Sequence, residues 1–290
     1  MITLILFFTV VVFLVTLFTA ISTGNLQYKT FDTTLEPFIN TTKSSPKIKI
    51  LSKEETDHLI DSDADGYLKS LTTNDLAIRK SNSLQTYKQI SKQQFCTSEI
   101  NDTIVQKLHD ACAQVHQKIV EHTRQQNRLF GIAIEAFLDI PWNFAIICTD
   151  NYENGFPHTR DDVIILPKTI IDSYSSTNPD KLCRLLIHEK THVYQKKFPD
   201  TVQQYLLTNG FEKENRRYQD PANPDLNNFR YKHEKLGLMF STYKTDSPTS
   251  FNDIQYAKEK DASSEHPYEL IAYRMEQLFY KPAETISLIP

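Results

Sequence analysis

Glycine is scarce in this chain, whose 290 residues include only six, whereas glycine makes up about 7% of an average protein. The loops that hold phosphates in many nucleotide-binding enzymes need glycines at fixed spacings. Neither GxGxxG nor GxxxxGK followed by Ser or Thr occurs in the sequence. The sequence therefore excludes both of these phosphate-binding motifs.

A basic excess is also missing, since 32 Lys and Arg stand against 36 Asp and Glu, for a formal net charge of −4. Proteins that bind nucleic acids carry a basic surface that attracts phosphates. We therefore expect no nucleic-acid partner. Hydrophobic residues make up 40% of the chain, which is typical of a folded protein, and the length fits one large domain or two small ones.

Cysteine is sparse, and no pair of cysteines forms a CxxC motif. The sequence contains four, at Cys96, Cys112, Cys148 and Cys183. This number is too small and too scattered for a disulfide scaffold, although one or two disulfides could form in an oxidising compartment. We favour the alternative in which all four are small buried hydrophobic residues.

Long apolar runs are absent except at the start of the chain, where residues 2–21 contain no charge. As a helix, this run would span about 30 Å, the thickness of the hydrocarbon core of a bilayer. It predicts an N-terminal transmembrane anchor over residues 1–22 that contacts the bilayer through residues 2–21, and hence a single-pass membrane protein. A cleaved signal peptide is the alternative. Sequons at Asn40 and Asn101 slightly favour a lumenal or extracellular body.

The rest of the chain divides into three parts by composition. Residues 23–51 are rich in Thr, Ser, Asn and Lys and predict a polar stalk. Residues 52–97 open with Ser52 and Glu55, which fit a capping box, and predict a small helical segment. Residues 98–290 predict the main domain.

Within the main domain, the apolar pattern predicts both helices and strands. Apolar residues from Ile100 to Ile119 recur at spacings of three and four, which predicts a long helix that ends near Arg124. Shorter apolar runs predict strands at residues 129–138, 144–148 and 162–166. Prolines open two further predicted helices, at residues 179–198 and 267–280. The order predicts an α+β fold.

The first of these proline-opened helices contains the sequence HExxH over residues 188–192. Residues four apart share one face of a helix, so His188 and His192 can bind a single metal ion while Glu189 reaches a water on that ion. The alternative is an amphipathic helix with two packed or exposed histidines. The apolar residues around the motif favour the metal, because two buried histidines would otherwise need two other partners.

Lys190 departs from the usual pattern, since HExxH peptidases carry uncharged residues between the glutamate and the second histidine. It follows His188 by two positions, about 200° around the helix. We expect Lys190 to face away from the metal, where it could reach solvent.

A zinc site of this kind needs a third protein ligand and an open position for water. Phe198 occupies the position of a third histidine in HExxHxxGxxH, so that pattern is excluded. We favour Glu269, in the first turn of the helix opened by Pro267, because the small Ala272 lets that helix approach closely. A first-turn carboxylate could instead simply complement the helix dipole. Other candidate ligands are Glu265, His266, Glu276 and His233.

With His188, Glu189 and His192 followed 77 residues later by Glu269, the chain resembles the gluzincin class of zinc metallopeptidases over residues 129–281. The resemblance implies an α+β, zincin-like catalytic domain with a small mixed or antiparallel sheet, an active-site helix and a glutamate helix. Here that domain would be preceded by the transmembrane helix. In this class an edge strand lies beside the cleft, and residues 162–166 take its place in the chain order.

The resemblance also implies a function, the hydrolysis of a peptide or protein substrate by a metal-activated water with Glu189 as general base. One Zn²⁺ would be held by His188, His192 and Glu269. By residue type alone, the candidate donors to the oxyanion or the substrate are Tyr231, His233 and Tyr243, although such tyrosines more often pack.

The competing interpretation is a catalytically inactive metal-binding protein with a structural or interaction role, displayed on a membrane. Lys190 and the unexplained helical segment before the main domain motivate it. Cleavage that depends on Glu189 would distinguish the two.

Overall fold

The structure is a computed structural model that describes residues 46–96, 98–123, 126–174, 180–215, 220–258, 261–279, 281 and 286–289. All of these belong to one unit, Ser44–Pro290, while a second unit, Met1–Lys43, lies outside the described residues. Helices and short strands alternate along the described chain, so this unit is α+β with small sheets.

The expectation of a membrane-spanning fold is corrected by the structure. Among the described helices, none is both long enough and apolar enough to cross a bilayer; the longest, Asp102–His122, carries charged residues on its outer face. The predictions of a transmembrane helix before the α+β domain and of a single-pass membrane protein are therefore not supported. Residues 1–22, the stalk up to residue 45 and the sequon at Asn40 lie outside the described residues.

Nine α-helices are present in the described residues. They are α1 (Lys53–Ser62), α2 (Thr73–Ile78), α3 (Leu84–Gln94), α4 (Asp102–His122), α5 (Ile134–Asp139), α6 (Lys168–Asp172), α7 (Asp180–Lys197), α8 (Pro199–Thr208) and α9 (Pro267–Glu276). Helix α4 confirms the long helix predicted from the apolar stripe. The capping box predicted at Ser52 and Glu55 is also present and starts α1.

The strands of the described residues form four small sheets. They are β1 (Ile48–Ile50), β2 (Arg128–Leu129), β3 (Ile132–Ala133), β4 (Trp142–Ile147), β5 (His158–Arg160), β6 (Val163–Pro167), β7 (Phe211–Asn215), β8 (Phe229–His233), β9 (Gly237–Met239), β10 (Ser241–Tyr243) and β11 (Ile254–Tyr256). The central sheet has the order β1-β4-β6-β5, with β5 antiparallel to β6 and the other pairs parallel. Strand β1 thus lies in the segment predicted as stalk.

The central sheet separates two layers of side chains. In β4, Phe144 and Ile146 pack into the core with α4 and α7, while Ala145 and Ile147 pack into a second cluster with residues of α1 and α3. Alternate residues of a strand point to opposite faces. Both faces of β4 are therefore buried from Phe144 to Ile147, which explains why these four residues form an unbroken apolar run.

Two of the predicted strands differ from the structure. Residues 162–166 form the interior strand β6, and the edge position belongs to β5, whose polar sequence gave no strand signal. The apolar run 129–138 is a short hairpin, β2 and β3, followed by helix α5. The hairpin turns at Phe130 and Gly131, both with positive φ, and a glycine adopts that conformation without strain.

The cysteine prediction is also corrected. Cys96 and Cys148 form a disulfide with a Cα–Cα distance of 5.4 Å, which ties the end of α3 to the end of β4. Cys112 and Cys183 are buried and take no part in this disulfide, as predicted for all four cysteines. The sequence could not select the pair, because residues 52 positions apart are brought together only by the folded sheet.

Edge strand β5 is fixed by a buried charge cluster. The guanidinium of Arg160 donates to Asp65 at 2.9 Å and to Asp63 at 2.9 Å, both in the turn after α1. Burial opposes the ionisation of Asp65, but the hydrogen bonds and charge of Arg160 outweigh it and hold the pKa of this carboxyl well below its usual range. The cluster links the N-terminal helices to the edge of the sheet.

Substituting Asp65→Asn is therefore expected to lower the free energy of unfolding at pH 7 by about 2–3 kcal/mol, because Arg160 loses part of its compensating charge. The native state binds fewer protons at Asp65 than the unfolded state, so this contribution is present above pH 4 and is lost as the pH falls below it. Urea unfolding of both proteins at pH 7 and pH 3 measures the difference, which should shrink at the lower pH. The exposed Asp246→Asn serves as the control, and an equal difference at both pH values would contradict the prediction.

Candidate metal centre

Helix α7 carries the HExxH sequence through the centre of the described fold. Leu182, Leu186 and Val193 face the main core, and Lys196 and Lys197 in the last turn complement the negative end of the helix dipole. His188 and His192 project from successive turns of α7, and both are buried. The helix thus presents two imidazoles on one face.

Helix α9 brings the third group. His266 caps its N-terminus by accepting a hydrogen bond from the backbone of Tyr268, and Pro267 occupies the first turn. Glu269 follows in the same turn, and Ala272, one turn later, is fully buried. A small residue at this point lets α9 lie close against α7, as predicted.

The structure brings together His188, His192 and Glu269. Their ligand atoms all lie within 4.8 Å of one another. The two Nε2 atoms of the histidines are 3.1 Å apart, and the Glu269 carboxylate lies 3.3 Å from Nε2 of His188 and 3.7 Å from Nε2 of His192. Burial opposes ionisation of Glu269, but the two imidazoles outweigh it and hold the pKa of this carboxyl well below its usual value.

Hydrogen bonds on the opposite ring nitrogens orient both histidines. Nδ1 of His188 donates to Glu276 at 2.7 Å, and Nδ1 of His192 donates to the amide oxygen of Gln195 at 2.8 Å. The amide of Gln195 is itself fixed, because its nitrogen donates to the backbone oxygen of Tyr268 at 3.0 Å. With Nδ1 bonded in this way, the Nε2 atoms of both rings face the Glu269 carboxylate.

These donors fit a zinc ion. Burial opposes protonation of His188, but its hydrogen bonds to Glu269 and Glu276 outweigh burial and raise the pKa of this imidazole. A proton can therefore lie between the donors when no metal is bound, and a metal ion that binds there replaces that proton. Two imidazole nitrogens and one carboxylate oxygen are also the ligand set of catalytic zinc sites, which keep a further position open. The chemistry of the donor set therefore matches the predicted cofactor.

Glu189 lies beside the three donors without joining them. It is 3% exposed, and its Oε2 atom has no hydrogen-bond partner among the described residues. Burial raises the pKa of Glu189 well above its usual value, and the carboxylates of Asp225 and Glu269 add to this effect. A carboxylate in this position is free to hydrogen bond to a water or a substrate.

Lys190 faces away from the donors, as predicted, but it does not reach solvent. It is 2% exposed, and its ammonium group donates to the carbonyl of Ile140 at 2.6 Å and lies 4.1 Å from the ring centre of Trp142. Burial lowers the pKa of this amine to about 7. The carbonyl of Ile140, just after α5, and the ring of Trp142 both contact the ammonium group of Lys190. They lie about 50 residues earlier in the chain, so the local sequence pattern could not show that Lys190 is buried.

The other candidate ligands are used elsewhere. Glu276 binds the far nitrogen of His188, so it orients that ring. Glu265 accepts from Ser241, and His266 contacts Asn227 and caps α9. His233 accepts from the backbone of Lys235. None of these four joins the three donors in the described structure.

All three suggested substrate donors make contacts with other parts of the protein. The hydroxyl of Tyr231 is buried between Gln203 and Asn227, and the hydroxyl of Tyr243 donates to Asp75 at 2.6 Å. Neither these tyrosines nor His233 is among the described residues that line the cavity beside the donors.

That cavity has a volume of ≈ 390 Å³. Its lining includes His188, Glu189 and Glu269 together with residues that the sequence did not point to, among them Arg79, His158, Asp225 and Tyr273. The ring of Tyr273 packs edge-on against His188, with centroids 4.8 Å apart. The sequence contained one sign of these lining residues, the polar, proline-rich stretch at residues 221–225. Its place beside the cavity depends on the tertiary fold.

Comparison of the chain with models of protein families, with curated proteins and with solved structures finds no match to any of them. The interpretation of the site therefore depends on its geometry and donor chemistry.

Proposed function

We propose that this protein is a zinc-dependent metallopeptidase. The single observation that carries the proposal is the convergence of His188, His192 and Glu269 beside the unpartnered carboxylate of Glu189 at the wall of a cavity. Two elements 77 residues apart in sequence supply a three-donor set with an adjacent base, which is the arrangement that metal-assisted hydrolysis needs.

Zinc held by His188, His192 and Glu269 would polarise the scissile carbonyl and lower the pKa of a water towards 7. Glu189 is placed to accept the proton of that water and to pass it to the leaving amine as the C–N bond breaks, while the hydroxyl group goes to the carbonyl carbon. Gln195 and Glu276 keep the two histidines in the tautomer that this role requires.

The alternative is a metal-binding protein without catalytic activity. Lys190, which motivated it, has a structural role away from the donors, so this residue no longer counts against catalysis. Measured cleavage of peptides therefore distinguishes a peptidase from an inactive metal-binding protein.

The test combines zinc content with peptide hydrolysis. We expect one zinc per chain and zinc-dependent cleavage of a mixed peptide library by the full-length protein. Substituting Glu269→Gln removes a direct ligand. Since loss of an outer partner alone costs 10–100-fold in metal affinity, we expect zinc affinity to fall by at least about 100-fold. Competition with a chromophoric chelator measures it.

The exposed Glu135→Gln is the matched control, and it should keep both zinc affinity and activity. Unchanged zinc affinity in Glu269→Gln would contradict the ligand assignment. One zinc per chain without cleavage of any library would support the inactive alternative.

A further inference from the structure

On the outer edge of β5, beside the cavity, the backbone N–H groups are either bonded or missing. The N–H of Thr159 donates to the carboxylate of Asp225 at 2.6 Å, and its carbonyl accepts from the ammonium group of Lys196 at 2.7 Å. Two residues on, the N–H of Asp161 donates to Asp65 at 3.1 Å. Two residues before, Pro157 has no N–H to offer.

Outward-facing groups of an edge strand recur at every second residue. Along this edge the successive outward positions, 157, 159 and 161, therefore leave no N–H for another chain. A peptide that binds by adding a strand to a sheet needs those groups for its main-chain hydrogen bonds. An extended peptide could receive a main-chain N–H from Thr159 only by displacing Asp225. The groups that recognise a substrate are therefore expected in the cavity itself.

The cavity has a small volume and a negative lining. At ≈ 390 Å³ it lies near the lower end of the range for small-molecule sites, about 300–1,000 Å³. Carboxylates predominate among the charged residues that the structure describes in its lining: Glu153, Glu189, Asp225, Glu265, Glu269 and Glu276, against the guanidinium of Arg79. The net charge around the cavity is still negative after the positive charges of a bound divalent cation, Arg79 and the nearby Lys196 are added. Such a field attracts positively charged ligands.

A second, independent feature of the lining is His158. It is 2% exposed, and its Nε2 atom has no hydrogen-bond partner among the described residues. Its Nδ1 atom donates to the carbonyl of Phe156 at 2.8 Å, which leaves a lone pair on Nε2. A buried polar atom without a partner is costly. Because His158 belongs to the lining of the cavity, a small shift of its ring would bring Nε2 within reach of an N–H donor bound there.

From these features we propose the substrate class of the site: short peptides with an ammonium group next to the scissile bond, bound within the cavity with an N–H donated to Nε2 of His158. The ammonium group belongs to a free amino terminus or to a lysine side chain. Extended segments of folded or long chains are not substrates. This inference rests on the proposed peptidase function and adds its specificity.

The test uses the zinc-loaded full-length protein and three tetrapeptide libraries, with products identified by mass spectrometry. The first library has free amino termini and no lysine, the second is acetylated and contains lysine, and the third is acetylated with glutamate in place of lysine. We expect kcat/KM in the first or second library to exceed that in the third by at least about tenfold. Which of the first two is cleaved identifies the source of the ammonium group. Added NaCl should reduce the preference.

Substituting His158→Phe removes the acceptor while keeping a ring that can pack against Tyr152. We expect KM for the preferred peptides to rise by about tenfold, with zinc content unchanged. The melting temperature should stay close to that of wild type, because removal of the unpartnered Nε2 atom offsets the loss of the hydrogen bond from Nδ1 to the carbonyl of Phe156. His109→Phe is the matched control, because the His109 side chain is 43% exposed and lies outside the cavity lining.

Equal cleavage of the three libraries, or faster cleavage of a 20-residue extended peptide than of its tetrapeptide segments, would overturn the inference while leaving the peptidase function intact. An unchanged KM in His158→Phe would overturn the role of that residue. Absence of cleavage in every library from a zinc-loaded protein would overturn the proposed function and this inference together.

Discussion

Substituting Glu189→Gln is expected to lower kcat/KM for peptide cleavage by about 10²- to 10⁴-fold, the usual contribution of a general base. Glutamine has the shape of glutamate but cannot accept the proton of a water. Glu189 is not one of the three converging donors, so the variant should keep one zinc per chain. Steady-state kinetics together with metal analysis measure both quantities.

The same substitution is expected to preserve or raise stability. The Glu189 side chain is buried and one of its oxygens has no partner among the described residues. Burial raises its pKa because ionisation is unfavourable there, and glutamine fills the same space without a group that ionises. Thermal unfolding of the apo forms provides the comparison with wild type, with Glu135→Gln as the control for the glutamine substitution. Activity retained within about threefold of wild type would contradict the general-base role.

The second large effect concerns Arg79, whose guanidinium lies in the wall of the cavity. It donates to Glu153 at 2.9 Å, to the hydroxyl of Tyr67 at 2.6 Å and to the carbonyl of Ala222 at 2.9 Å. Breaking a buried ion pair by removing one partner costs about 3–5 kcal/mol, because the other charge stays buried. We expect Arg79→Met to lower the free energy of unfolding by this amount, as measured by urea denaturation.

A double-mutant cycle tests the physical cause of that loss. Glu153→Gln keeps a partner for the hydroxyls of Tyr67 and Tyr87, which donate to this side chain, but it removes the charge. Adding it to Arg79→Met should cost less than the sum of the single substitutions, by about 1–3 kcal/mol. The exposed Arg128→Met is the control for the chemistry of the change. Strict additivity would contradict the assignment of the loss to an uncompensated charge.

The sequence predicts those parts of this protein that depend on local periodicity. The apolar residues of α4, the capping box of α1 and the proline at the start of α9 each specify their element over one or two helical turns. The spacing of His188 and His192 is of the same kind. The prediction of Glu269 depends on a short stretch of sequence, in which Pro267 marks the start of the helix and the small Ala272 follows one turn after the glutamate.

The missed features depend on contacts between distant segments. Strand β5 is polar because Arg160 pairs with Asp65, 95 residues away, so no apolar alternation marks it. Lys190 is buried because the carbonyl of Ile140 receives it. Asp225 reaches the cavity through a loop whose path the sequence does not specify. In each case a polar side chain is buried with a partner that periodicity cannot identify.

The three N-terminal helices have a consequence for how the protein can be divided. They cover the face of the central sheet formed by Ala145, Ile147 and Ile165, supply Arg79 to the wall of the cavity, and are tied to β4 by the disulfide. A fragment that begins after them would expose an apolar sheet face and lose one side of its binding chamber. The HExxH half is therefore not expected to fold on its own. A fragment that starts after residue 96 should lack the proposed peptidase activity and should aggregate.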